Sequence, residues 1–94
     1  MTSKILDTLQ ATVEDRRKVY GSPKPNMQDI ADLWNVKLRS MFTSGSEVPQ
    51  FTAADVAQMM RLVKEARLLK TPGHQDSLLD IAGYVLVEEA CHQE

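Results

Sequence analysis

The chain has one cysteine, Cys91, so an intrachain disulfide is impossible and a reducing compartment is the simpler setting. Aromatic residues make up only 5% of the sequence, which argues against a β-sandwich and for helices. No stretch approaches the roughly 20 apolar residues that a membrane span needs. The opening segment, MTSKILDTLQATVEDRR, has no uninterrupted apolar run of the kind a secretory leader carries. A soluble, cytoplasmic protein with no membrane partner is therefore expected. Neither sign of charge dominates: eleven basic and thirteen acidic side chains leave a net charge of −2, too little to hold a nucleic-acid backbone.

Several chemistries lack their residues altogether. There is no glycine-rich phosphate loop, no CxxC pair, no HExxH and no G-x-S-x-G, so a Walker ATPase, a zinc ribbon, a zincin and an α/β-hydrolase all go unsupported. One cysteine and two distant histidines make no nucleophile pair. His74, in a turn beside Asp76, reads first as solvated, and His92 stands near the terminus.

What remains is ordinary globular material: 94 residues, 43% hydrophobic and 26% charged, enough for one domain with a modest core. Glycine and proline fall mostly between periodic segments. Those segments predict four helices over about 3–19, 26–42, 52–70 and 75–91, an all-α four-helix bundle with short loops and one longer connection.

Ser3 is placed to cap the first helix, whose Ile5, Leu6, Leu9 and Val13 form an apolar stripe. The run Arg16-Arg17-Lys18 follows Glu14 and Asp15 and reads as a solvated helix end. Tyr20-Gly21 and the prolines at 23 and 25 stop that helix. Asn26 is the expected cap of the second, along which Met27, Ile30, Trp34, Leu38 and Met41 step by three and four. Thr43 to Gln50, with Gly45 and Pro49, is the expected mobile connection. Thr52 with Asp55 suggests a capping box for the third helix, whose expected inner face is Val56, Met59, Met60, Val63 and Ala66. Pro72-Gly73 ends it. Leu78, Leu79, Ala82, Val85 and Leu86 are the apolar residues of the fourth, and Glu88 to Glu94 are expected to fray.

The polar residues that invite a function lie between Asp55 and Tyr84. Lys64 and Arg67 are three apart and share a helix face, while Asp76, Asp80 and Tyr84 recur every four residues along another. In an antiparallel hairpin the two bases meet the two acids. Paired carboxylates are suited to Mg2+, which takes oxygen ligands and keeps several waters, and Lys and Arg are suited to phosphate oxygens. The competing structural reading is an acid in the first turn of a helix, Asp76, and a tie between helices through Asp80. Trp34 reads as a core anchor whose edge can also stack on a ligand. Tyr84 either packs or closes a pocket above Asp80. Gly83, inside a helix at a cost of about 1 kcal/mol relative to Ala, suggests the close approach of a helix or a ligand.

Taken together, Arg17, Tyr20-Gly21, Asn26, Ile30-Ala31, Leu33-Trp34, Asp55-Val56-Ala57, Met59-Met60, Lys64, Arg67, Asp76 and Leu79 to Tyr84 resemble a small protein family common in bacteriophages and prophages, over roughly residues 10 to 86. That pattern in turn looks distantly like the MazG-type all-α nucleotide pyrophosphohydrolases, through Asp76-Ser77-Leu78-Leu79-Asp80 and the apolar run after it. The resemblance implies a MazG-like bundle, Mg2+ held by Asp76 and Asp80 as metal ligands and catalytic groups, and a nucleotide or other phosphate-bearing ligand contacted by Lys64, Arg67, Tyr84, Arg17, Tyr20, Asn26 and Trp34. It also implies a homo-oligomer, and a host-cytoplasmic location if the chain is phage-encoded. One departure stands out: the second acidic pair of the MazG-type pattern is missing, and Lys64, Glu65 and Arg67 occupy the corresponding region. Three functions stay open on these residues: a Mg2+-dependent nucleoside triphosphate pyrophosphohydrolase, a noncatalytic module that sequesters a nucleotide or inhibits a host protein, and a structural interaction module.

Overall fold

Helices α1 (Lys4–Tyr20), α2 (Pro23–Ser40), α3 (Ala53–Lys70) and α4 (Gln75–Gln93) follow one another in the computed structural model, with no strand among the described residues. The structure describes residues 3–20, 22–42 and 47–93, apart from the side chains of Arg17, Val19 and Tyr20. The all-α bundle expected from the periodicity is present. No helix among the described residues is long and apolar enough to cross a membrane.

Local chemistry explains where most helices begin. The Ser3 hydroxyl accepts from the Leu6 amide at 3.3 Å at the start of α1. At α3 the capping box closes in both directions: the Asp55 amide donates to the Thr52 hydroxyl at 3.1 Å, and the Thr52 amide donates to the Asp55 carboxylate at 2.9 Å. Aspartate thus reaches as far as the longer glutamate usually found there.

The start of α2 corrects an expectation. Asn26 is not its cap; the helix begins three residues earlier at Pro23, with Ser22 as N-cap in an extended conformation. Pro23 and Pro25 occupy the first turn, where amide hydrogens have no helical partner anyway, so the prolines cost nothing there and fix a helical φ. The same Ser-Pro-Lys-Pro run that terminates α1 therefore starts α2. The expected connection over Thr43 to Gln50 is irregular at 47–50, and 43–46 lie outside the described residues, as does Gly21.

Between α3 and α4 the turn is tight. The Thr71 amide donates back to the Arg67 carbonyl at 3.1 Å, and Gly73 takes the left-handed conformation at φ 79° that glycine adopts most readily. His74 corrects another expectation, because its ring is engaged and not merely solvated. Nδ1 accepts from the Ser77 amide at 3.3 Å and lies 2.8 Å from the Ser77 hydroxyl, so the imidazole acts as the cap of α4. At its far end α4 continues to Gln93, and Cys91 is buried, where fraying from Glu88 onward was expected.

Two ion pairs mark the seam of the α3–α4 hairpin: Lys64 with Asp80 at 3.1 Å, and Arg61 with Glu88 at 3.2 Å. Falling residue numbers on α3 meet rising ones on α4, so the two run antiparallel. α2 lies across them, and the core forms from Met27, Ala31, Ala53, Val56, Ala57 and Cys91, flanked by Ile30, Trp34, Phe51, Met60 and Val87. Asn35, also buried, donates its amide to the Phe51 carbonyl at 3.1 Å and accepts from the Phe51 amide at 2.7 Å. Trp34 meets the Phe51 ring edge-on, 5.8 Å between centroids. α1 packs chiefly on α4, with Leu9 buried near Gly83. The start of α1 (Lys4, Ile5, Thr8) lies beside the start of α4 (Gln75, Asp76), so these two run parallel.

Six positions of the expected apolar faces are outside it: Leu6 of α1, Val63 and Ala66 of α3, and Val85 and Leu86 of α4 are exposed, and so is Met41 after the end of α2. Both α3 and α4 carry apolar residues on more than one side, so periodicity alone does not choose which side faces inward.

Candidate functional site

Where α1 gives way to α2, the two helices leave a cavity of about 530 Å³ over the middle of α4. Its walls are Leu9, Thr12, Val13 and Arg16 from α1, Pro23, Asn26, Met27 and Ile30 from α2, Met60 from α3, and Leu79, Asp80, Gly83, Tyr84 and Val87 from α4. This is a size that holds a small organic ligand, and a mostly apolar wall with a few polar groups is the usual composition of such a site.

The polar groups concentrate on Asp80. Lys64 Nζ lies 3.1 Å from its Oδ2, and Arg16 Nη2 lies 3.9 Å from its Oδ1. One carboxylate of the cavity wall therefore faces two cations, Arg16 within the wall and Lys64 outside it, a formal charge of +1 for the trio. None of the three is fully buried: the Asp80 side chain keeps 24% of its exposure, Lys64 34% and Arg16 57%. The pairs are thus solvent-screened and exchangeable, each contributing on the order of 1 kcal/mol or less.

Of the residues singled out in the sequence, the structure brings Lys64 and Asp80 together and sets Asn26 and Tyr84 in the same cavity wall. It leaves Arg67 exposed, with no acidic partner among the described residues. Asp76 is exposed in the first turn of α4 and borders a separate shallow concavity of about 200 Å³ with Lys4, Ile5, Thr8, Gln75 and Leu79. Trp34 packs against Phe51 and is not part of the cavity wall. The side chains of Arg17 and Tyr20 lie outside the described residues.

Arg16 is the contact that sequence reasoning passed over, filed with a solvated charge run. A signal was present: Arg16 continues the inward stripe of Leu9, Thr12 and Val13 at helical spacing. Asn35 had no such signal, since an asparagine inside an apolar stripe gives no hint that it pairs with the backbone sixteen residues on.

The residues fit a resident Mg2+ poorly. Asp80 is already matched by two cations, Asp76 borders a different concavity, and among the described residues no three His, Cys, Asp or Glu side chains group together as metal ligands do. Lysine and arginine beside an open apolar cavity suit an anionic ligand better.

Glu88, further along α4, has a different character. Its Oε1 is buried and lies 3.2 Å from Arg61 without the alignment of a hydrogen bond, while its Oε2 lies 3.9 Å from His92. It ties the hairpin together through charge and takes no part in the cavity wall.

Residues 4–92 match the family described as a domain of unknown function, DUF6378, and the chain belongs to that family. The Gene 55 protein of Mycobacterium phage L5 is 40% identical over 86 residues, covering 90% of this chain and 50% of that protein. The Gene 55 protein of Mycobacterium phage D29 is 36% identical over 95 residues, covering 100% of this chain and 57% of that protein. The chain thus spans about half the length of the curated relatives it matches. No solved structure matches it.

Proposed function

We propose that this member of the DUF6378 family is a phage nucleotide-handling protein that binds a phosphate-bearing small molecule, a nucleotide above all, in the cavity between α1, α2 and α4. The observation that carries this reading is the convergence of Lys64 and Arg16 on Asp80 at the cavity wall. A phosphate entering there finds two cations held in place by a carboxylate it can replace, with little to desolvate because the trio is already wet. Arg16 can meet two phosphate oxygens through its planar fork, and Lys64 supplies a mobile point charge. Met27, Ile30 and Tyr84 give the apolar and aromatic surface that a base or sugar needs.

Cleavage of a nucleoside triphosphate to monophosphate and pyrophosphate is the catalytic form of the same proposal. Its support is the MazG-type resemblance of Asp76 to Tyr84 together with the position of Asp80 in the cavity wall. The poor fit of a resident Mg2+ favours the binding form, in which the nucleotide is held and not turned over.

Calorimetric titration with a panel of ribo- and deoxyribonucleoside mono-, di- and triphosphates tests both, with pyrophosphate measured in the same samples. Binding that weakens at least tenfold in Lys64→Ala and Arg16→Ala, without pyrophosphate release, is the expected result. Release above an Asp80→Asn control would establish the enzyme. No binding by any nucleotide at millimolar concentration would end the proposal.

A further inference from the structure

The α3–α4 hairpin covers only one of its sides. α3 turns Ala53, Val56, Ala57 and Met60 toward the core, yet Leu62, Ala66 and Leu69 repeat at intervals of four and three along the opposite side, where all three are exposed. Leu69 keeps 85% of its surface and Leu62 54%. On α4, Val85 and Leu86 are also exposed. A helix that is apolar on opposite sides belongs in an interior, and the spacing of Leu62, Ala66 and Leu69 is that of a seam between packed helices.

The dimensions of the chain agree. It exposes 6865 Å², where a compact monomer of the same mass exposes about 5,500 Å². Its radius of gyration is 15.5 Å, against roughly 12 Å for a compact domain of this length. The excess surface, on the order of 1,400 Å², exceeds the roughly 800 Å² that each partner gives up in a stable interface.

We propose that the Leu62–Ala66–Leu69 side of α3 docks on the same side of a second copy of this chain, forming a two-fold symmetric dimer. A second copy suits this surface because it is self-complementary. Parallel copies of α3, related by a two-fold axis along the helices, set Leu62 on Leu62 and Leu69 on Leu69 around Ala66, whose small side chain lets the helices approach, and bring Glu65 of one copy toward the basic Lys70 of the other. The dimer does not depend on what the cavity binds.

Sedimentation equilibrium on the intact chain between 1 and 100 μM is the test, with Leu62→Ala/Leu69→Ala as the variant and Leu33→Ala, at an exposed leucine of α2, as the control. The expected result is a wild-type and control dimer, and a variant whose dissociation constant rises at least tenfold while its helical circular dichroism is retained. Should the variant unfold, melting of the wild type between 2 and 200 μM decides: a midpoint that climbs with concentration supports the dimer. A wild-type monomer at 100 μM overturns the proposal, as does a variant that dimerises as tightly as the wild type.

Discussion

Asn35 and Phe51 exchange two hydrogen bonds, 3.1 Å and 2.7 Å, that fasten the segment entering α3 to the middle of α2. The side chain does the work of a strand partner, satisfying both backbone groups of one residue in a partly buried place. Asn35→Ala leaves both without that partner, and a stability loss of about 2 to 3 kcal/mol is expected. Asn35→Asp keeps the acceptor but sets a carboxylate against the Phe51 carbonyl, so it should lose at least as much. Urea denaturation of the three proteins measures this; a loss under half a kilocalorie for both variants would show that the clamp does not hold the fold.

Arg61 and Glu88 form the inner tie of the hairpin, and the buried Glu88 oxygen depends on that cation for compensation. Arg61→Met should therefore cost more than the removal of an exposed pair, about 1 to 2 kcal/mol, because an acid is left without its counter-charge. The double variant Arg61→Met/Glu88→Gln should recover most of the loss. A double variant as unstable as the single one would mean that the arginine contributes by packing alone.

Gly83 is open to improvement. A Cβ built there meets only Leu9 Cδ1 at 3.9 Å, an ordinary contact, so no helix presses on the glycine. Gly83→Ala should stabilise the protein by about 0.5 to 1 kcal/mol through helix propensity. Because Gly83 lines the cavity, the added methyl should also weaken nucleotide binding. Thermal melting and calorimetry on the same variant separate the two effects, and a destabilised Gly83→Ala would point to strain that the contact distance does not reveal.

Thr52 and Asp55 close their capping box in the solvent-exposed start of α3. Thr52→Ala should cost about 1 kcal/mol and Thr52→Ser much less. Equal losses for the two would assign the effect to the threonine methyl and not to the hydroxyl.

That box was legible in the sequence because its partners are three residues apart and need no tertiary contact. Lys64 with Asp80 was legible for a related reason: a short turn after Lys70 leaves an antiparallel hairpin as the natural arrangement, and the pair then faces across it. Arg67 shows the limit of such reasoning. Three residues along a helix is a rotation of about 60° from the original face, enough to carry Arg67 out of the seam that Lys64 occupies. Asp76 differs in height, since one turn before Asp80 it has passed the cavity and sits beside the start of α1. The start of α2 was misplaced because proline both ends one helix and begins the next, and nothing in the order of residues says which. Val56 and Met60 face the core as expected, but Val63 and Ala66 do not, and they are as apolar as the residues actually buried.

The parallel packing of α1 on α4 has a consequence for the order of assembly. The earliest of the four helices to leave the ribosome finds its main support on the latest, so α1 waits for three helices to be made before it can settle. The cavity, whose walls draw on both, is then completed only when α4 is in place. A chain clipped within α4 would keep α2 and α3 able to associate while releasing α1 together with the whole of the site.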